Sequence, residues 1–158
     1  MLIRDIESKE YKYDSSVPLK VRIGCYGIVK NEEGKYLMIV TNKQQGLEFP
    51  GGGCEDLEIM QDCVIREVRE ESGFDVKLSQ RQPIYVIENF AYSRSKQEYW
   101  KKIDFLFLCE LKSNEEYEKN LDAGEEVLEM NWMSVDEMKS KKWIYFVEEH
   151  KENILQFL

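Results

Sequence analysis

Residues 52–74 read GGCEDLEIMQDCVIREVREESGF, and the reading of this stretch decides the fold. A glycine run, Gly51, Gly52 and Gly53, forms a turn and leads into a segment of helix length that closes at Gly73. Gly73 is placed to take the left-handed conformation that ends a helix. Glu67, Glu70 and Glu71 stand at i, i+3 and i+4, so on a helix they share one face within reach of a single ion. On the helical wheel Glu71 has the heading of Met60 and Val64, which face the core. That sector is therefore apolar in its first turns and acidic in its last.

Carboxylates beside a core are costly to bury unless a cation meets them. Three acids in the last turn also oppose the negative end of the helix dipole. One alternative is a solvated acidic face, softened by Arg66 and Arg69. The glycine turn favours the other, a site for a hard divalent cation. Such ions take oxygen ligands, Mg²⁺ keeps few protein carboxylates, and small residues let a phosphate chain approach the backbone.

The stretch resembles the Nudix box of the MutT-like Nudix hydrolase family, G-x5-E-x7-R-E-U-x-E-E-x-G-U with U a bulky apolar residue. Gly52, Glu58, Arg66, Glu67, Val68, Glu70, Glu71, Gly73 and Phe74 fill every specified position. Ile59 stands where the family often has a capping Ser, which leaves Asp56 or Glu58 as candidate cap. Phe74 is larger than the usual aliphatic residue.

Outside the box the chain reads as a single domain over residues 1–158, long enough for a sizeable core. It lacks an apolar opening run or a stretch of membrane-spanning length, so a cytoplasmic protein is expected, with no membrane partner. Cys25, Cys54, Cys63 and Cys109 are widely spaced without a CxxC, so reduced, buried thiols are expected in place of a zinc cluster or disulfide framework. With His150 as the only histidine, multi-histidine zinc sites are excluded and a Ser-His-Asp triad is disfavoured. The net charge of −9 argues against general nucleic-acid binding. A metal and a few local Lys or Arg would still let a cleft take an anion.

Along the chain, Tyr11 and Tyr13 are candidate anchors of an edge strand within residues 1–16. Strands are expected over 19–30, 36–41, 76–78, 83–90, 103–111 and 127–133, with a short extended run at 47–50 feeding the glycine turn. Residues 91–100 read as a polar, aromatic-bearing loop and 113–126 as an acidic one. Ser134 caps a short helix through Met138, and residues 143–158 read as one terminal helix. This pattern fits an α/β protein with a mixed β-sheet flanked by helices, and the resemblance implies the same, a Nudix-type α/β/α sandwich.

The resemblance further implies an enzyme, a pyrophosphohydrolase that cleaves a nucleoside diphosphate linked to a group X with Mg²⁺ or Mn²⁺. It makes Glu67, Glu70 and Glu71 metal ligands, with the Gly51 carbonyl an additional one, and gives Glu70 and Glu71 a catalytic part. Gly52, Glu58 and Arg66 support the site, the last two as a charge-assisted pair holding turn to helix. The general base is drawn from a late loop, for which Glu125 and Glu126 are candidates and Glu110 the runner-up. Arg22 on phosphate, and Tyr92, Tyr99 or Trp100 on a base, are candidate substrate contacts, against edge exposure or core packing as the plain alternatives. Tyr92 is the eighteenth residue past the box, where some dinucleoside polyphosphate hydrolases of the family carry a Tyr. Pro83 comes earlier than the Pro of the ADP-ribose members. A nucleoside triphosphate-like substrate is favoured, a dinucleoside polyphosphate or nucleotide sugar is the alternative, and a non-hydrolytic nucleotide sensor is a third reading. A homodimer is left open.

Overall fold

Alternation along residues 19–30 sets the layers of the molecule. In the computed structural model, which describes residues 1–5, 9–41, 46–116 and 127–158, this run is strand β3, Leu19–Lys30. Cys25 and Val29 point to one face, and Tyr26 and Ile28 to the other. The same division splits Leu37 from Met38 and Phe107 from Leu106, so one sheet supports two cores.

The chain order is β1 Leu2–Arg4, β2 Glu10–Lys12, β3, β4 Tyr36–Thr41, β5 Gly51–Gly53, α1 Met60–Ser72, β6 Phe74–Leu78, β7 Tyr85–Ser93, β8 Glu98–Glu116, β9 Val127–Met133, α2 Val135–Ser140, α3 Tyr145–Glu148 and α4 Lys151–Leu155. The strands form a mixed sheet in the order β2-β1-β7-β8-β3-β4-β9, with β5 paired to β3 and β6 to β8. Parallel pairing of β3 with β8 runs from Leu19↔Tyr99 to Lys30↔Glu110 and forms its spine. Helix α1 packs on one face through Val64 and Val68, and Met138, Trp143 and Ile154 cover the other. This is the α/β/α sandwich expected from the sequence. Full burial of one such aliphatic side chain contributes about 1.5–3 kcal/mol.

Strand β3 pairs with β4 only at Lys30↔Tyr36, and with β5 through Gly24↔Gly53 to Tyr26↔Gly51. Its edge is thus shared, and β5 brings the box helix to the centre of the sheet. The glycine run is an extended strand, not a turn. A Cβ on Gly51 would strike the Cys25 carbonyl and lie 2.5 Å from Tyr26 Cα, so glycine permits this close pairing.

Four local expectations differ from the structure. Residues 91–100 are the end of the β7–β8 hairpin, because Tyr92 lies opposite Tyr99 with ring centroids 5.2 Å apart, and such aromatic cross-strand pairs extend a ladder. Likewise the strand expected at 103–111 continues to Glu116, through the first part of the run read as an acidic loop. The terminal helix is two short helices. Ile144 N–H bonds to Leu47 O at 3.0 Å, which holds residues 143 and 144 extended, and His150 N–H turns back to Val147 O at 2.9 Å. Finally, the N-cap of α1 is Ile59, which offers no side-chain cap, and Glu58 is committed to Arg66.

Other features follow the sequence. Gly73 caps α1 at φ 77° and ψ 0°, and Ser134 forms a capping box with Glu137. Phe74 packs against Trp132 with centroids 5.6 Å apart, which gives its extra size a contact. Among the described residues no helix is long and apolar enough to cross a membrane.

Candidate active site

Helix α1 delivers its acids as the wheel requires. Glu71, on the core heading, is buried, and its Oε2 accepts the Gly51 N–H at 2.7 Å. Glu67 lies one turn earlier, with Oε1 accepting from Arg66 Nη1 at 2.7 Å. Its Oε2 faces Gly52, where a Cβ would fall 2.5 Å from it. Glu70 turns toward Arg66, whose Nη1 reaches its Oε2 at 3.0 Å, and Glu70 does not line the cleft described below.

Arg66 fixes the geometry of this corner. It makes a bidentate pair with Glu58, Nε to Oε1 and Nη2 to Oε2 both at 2.8 Å, and Nη2 also donates to Gly53 O at 3.2 Å. One guanidinium therefore joins β5, the loop before α1 and two of the box acids. Arg66 holds the Glu58 carboxyl down at about 2, and the pairing in turn raises the guanidinium's own pKa.

Glu67, Glu71 and the three glycines of β5 line a cleft of about 800 Å³. Arg22 and Trp100 also line it, with the guanidinium carbon 5.1 Å from the ring centroid. Tyr92 also lines it, packed between Tyr11 and Tyr99 at centroid distances of 4.5 and 5.2 Å. Tyr99 corrects the expectation of a substrate contact. It is buried, its hydroxyl donates to Lys12 O at 3.2 Å and accepts from Asp14 N–H at 3.1 Å, and so it anchors the N-terminal segment. Glu110 is a second correction. It is exposed and paired with Lys77 at 3.1 Å, a contact that lowers its pKa and makes it a poorer base, and it does not line the cleft. Glu125 and Glu126 lie outside the described residues.

The sequence reading missed several residues of this cleft. Glu48 is buried beside Thr41, whose hydroxyl donates to it at 3.1 Å. Asp104 sits opposite Gly24 in the β3–β8 ladder, 5% exposed. Its Oδ2 is 3.2 Å from Lys102 Nζ, while its buried Oδ1 has no hydrogen-bond partner among the described residues. Burial first, then the charges of Asp104, Glu48, Glu71 and Glu67, push the Tyr26 phenol well above its ordinary pKa. The only sequence signal for Glu48 and Asp104 was an acid inside an apolar run, LEF and IDF.

The donor set fits a hard divalent ion. It offers carboxylate oxygens from one helix face beside a backbone strand that lacks side chains, and the buried Glu71 needs positive charge nearby.

The NUDIX domain model matches residues 19–154. The chain belongs to the NUDIX family. It is 26% identical over 148 residues to Nudix hydrolase 2 of Arabidopsis thaliana, which covers 91% of this chain and 49% of that protein, so the chain spans about half the length of this relative. Two solved structures share its fold. The MutT protein of Methanosarcina mazei Go1 superposes with a TM-score of 0.66 at 18% identity, over 91% of this chain and 98% of that one. The ADP-ribose pyrophosphatase of Streptococcus suis 89-1591 gives 0.59 at 20% identity, over 86% and 90%. At these identities the likeness is one of fold.

Proposed function

We propose that this NUDIX protein is a divalent-metal-dependent pyrophosphohydrolase that cleaves a nucleoside diphosphate linked to X, with nucleoside triphosphate-like substrates favoured. The observation that carries this reading is the meeting of Glu67, Glu71 and the glycine strand in one cleft with Arg22. Glu67 and Glu71, with the Gly51 carbonyl and with Glu70 once it turns from Arg66 toward the cleft, would hold Mg²⁺ or Mn²⁺. Bound there, the ion supplies charge neutralisation for phosphate oxygens and lowers the pKa of water.

The chain's own groups do the rest. Glu58 and Arg66 keep β5 against α1, so the carboxylates meet the substrate already oriented. Arg22, Arg94 and Lys102 place positive charge among the acids of the cleft and attract the phosphate chain. Trp100 and Tyr92 border the space for the base. Glu125 or Glu126 removes the proton from the attacking water as it approaches phosphorus in line.

Phosphate or pyrophosphate release from a panel of nucleoside triphosphates, dinucleoside polyphosphates and nucleotide sugars tests the reading. Metal-dependent release from one class, abolished by chelator, is expected. Binding of nucleotides with no release from any of them would replace the hydrolase by a sensor.

A further inference from the structure

Behind the box, on the face of β3 away from Tyr26, three cysteines that are far apart in sequence come together. Cys25 on β3, Cys54 just after β5 and Cys63 in the first turns of α1 have sulfurs that all lie within 4.8 Å of one another. Cys25 and Cys54 are the nearest pair, at 3.4 Å. Cys25 and Cys63 are fully buried, and Cys54 is partly exposed. Arg66 Nη2 stands 3.9 Å from Cys63 Sγ. The sequence spacing concealed this cluster, because strand pairing and helix packing assemble it.

We propose that Cys25, Cys54 and Cys63 form a thiolate site for a thiophilic divalent d¹⁰ ion, Zn²⁺ or its probe Cd²⁺, separate from the carboxylate site of the cleft. Three considerations carry this assignment. A zinc–thiolate bond of about 2.3 Å places tetrahedral ligand sulfurs about 3.8 Å apart. The sulfurs already lie within 4.8 Å of one another, and the 3.4 Å pair has to open by only a few tenths of an ångström. Soft sulfur ligands also discriminate against the Mg²⁺ that carboxylates prefer. Charge favours a divalent ion over a monovalent one. Three thiolates with a divalent ion leave one net negative charge, against two with a monovalent ion, and the Arg66 guanidinium stands 3.9 Å from Cys63 Sγ.

Cys54 is the partly exposed member of the cluster, so the ion would enter from its side. Disulfide chemistry is the less favoured use of the same thiols. Cys25 and Cys63 are fully buried, out of reach of an external oxidant or disulfide. A metal displaces the thiol protons itself. Bound there, the ion would tie β3, β5 and α1 together at the corner that Arg66 already links.

The test uses chelator-stripped protein kept reduced by a phosphine, titrated with Cd²⁺ while the ultraviolet sulfur-to-cadmium charge-transfer band is followed. One equivalent is expected to saturate the band. Zn²⁺ should displace it, and a large excess of Mg²⁺ should not. Metal at about a hundredfold over its Kd should raise Tm by about 5–10 °C. Cys54→Ser and Cys63→Ser should each lose at least tenfold in affinity, and Cys109→Ser should lose nothing. Cys54 is partly exposed, so its variant keeps the test valid if Cys63→Ser fails to fold. Absence of the band, a band untouched by Cys54→Ser, or a Cys25–Cys54 disulfide on peroxide treatment with no metal uptake by the reduced protein would each overturn the proposal. No readout depends on hydrolysis, so these outcomes stand apart from the fate of the carboxylate site.

Discussion

Replacing Glu58 by Gln removes the charge of the bidentate pair that holds the loop before α1 to Arg66. The Glu58 carboxyl is lowered from 4.5 to about 2, first by the Arg66 hydrogen bonds and also by the Glu55 N–H. Taken at face value that shift corresponds to roughly 3 kcal/mol at neutral pH. The side chains are 14% and 25% exposed, and solvent screening brings the expected loss to about 1–2 kcal/mol. The sign follows from the depressed pKa. The contribution is complete above about 4.5 and fades as pH falls toward 2. Urea unfolding of the parent and Glu58→Gln at pH 7 and pH 3 measures both parts. The variant should be less stable by about 1–2 kcal/mol at pH 7, and the gap should shrink by roughly half at pH 3. A gap of the same size at both values, or none at pH 7, would refute the assignment of this pair as the clamp.

Gly52→Ala should fold, yet its Cβ would lie 2.5 Å from Glu67 Oε2 and 2.8 Å from its Cδ, so the carboxylate must move. A loss of about tenfold or more in Mn²⁺ affinity is expected, read from the Mn²⁺-dependent rise in Tm, and unchanged affinity would remove Glu67 from the ligands. Trp143→Ala, which empties a fully buried site against Phe49 and Ile154, should cost about 3–5 kcal/mol in denaturant unfolding. Glu125→Gln and Glu126→Gln separate the two candidate bases. The variant that has lost the base should turn over more slowly with a flattened acidic limb in its pH–rate profile, while its Mn²⁺ affinity stays at the parent value. If both variants keep the parent profile, the base lies elsewhere.

The box was legible because its spacing is local. A helix places i, i+3 and i+4 together whatever surrounds it, so the shared face of Glu67 and Glu71 could be read from the sequence, while the Glu58–Arg66 pair was implied by the resemblance to the family. Strands 19–30, 36–41 and 127–133 were equally legible from alternation and turn signals. What escaped depends on contacts distant in sequence. Asp104 enters the cleft through its register opposite Gly24, and the hairpin over residues 91–100 through the Tyr92–Tyr99 pair. The three sulfurs meet only once β3, β5 and α1 are packed. Tyr99 has the composition of a base-stacking residue, but the N-terminal segment covers it, which no pattern near Tyr99 could announce.

The most direct test of the carboxylate site is the steady-state rate of Glu71→Gln on the best substrate of the panel, at saturating Mg²⁺. The amide oxygen can still accept the Gly51 N–H that Glu71 Oε2 now accepts at 2.7 Å, so the fold should persist while the charge is lost. The account predicts a fall in kcat of about a hundredfold or more, with a cooperative melt and a blunted metal-dependent rise in Tm. Turnover near the parent rate from a well-folded Glu71→Gln protein would contradict it.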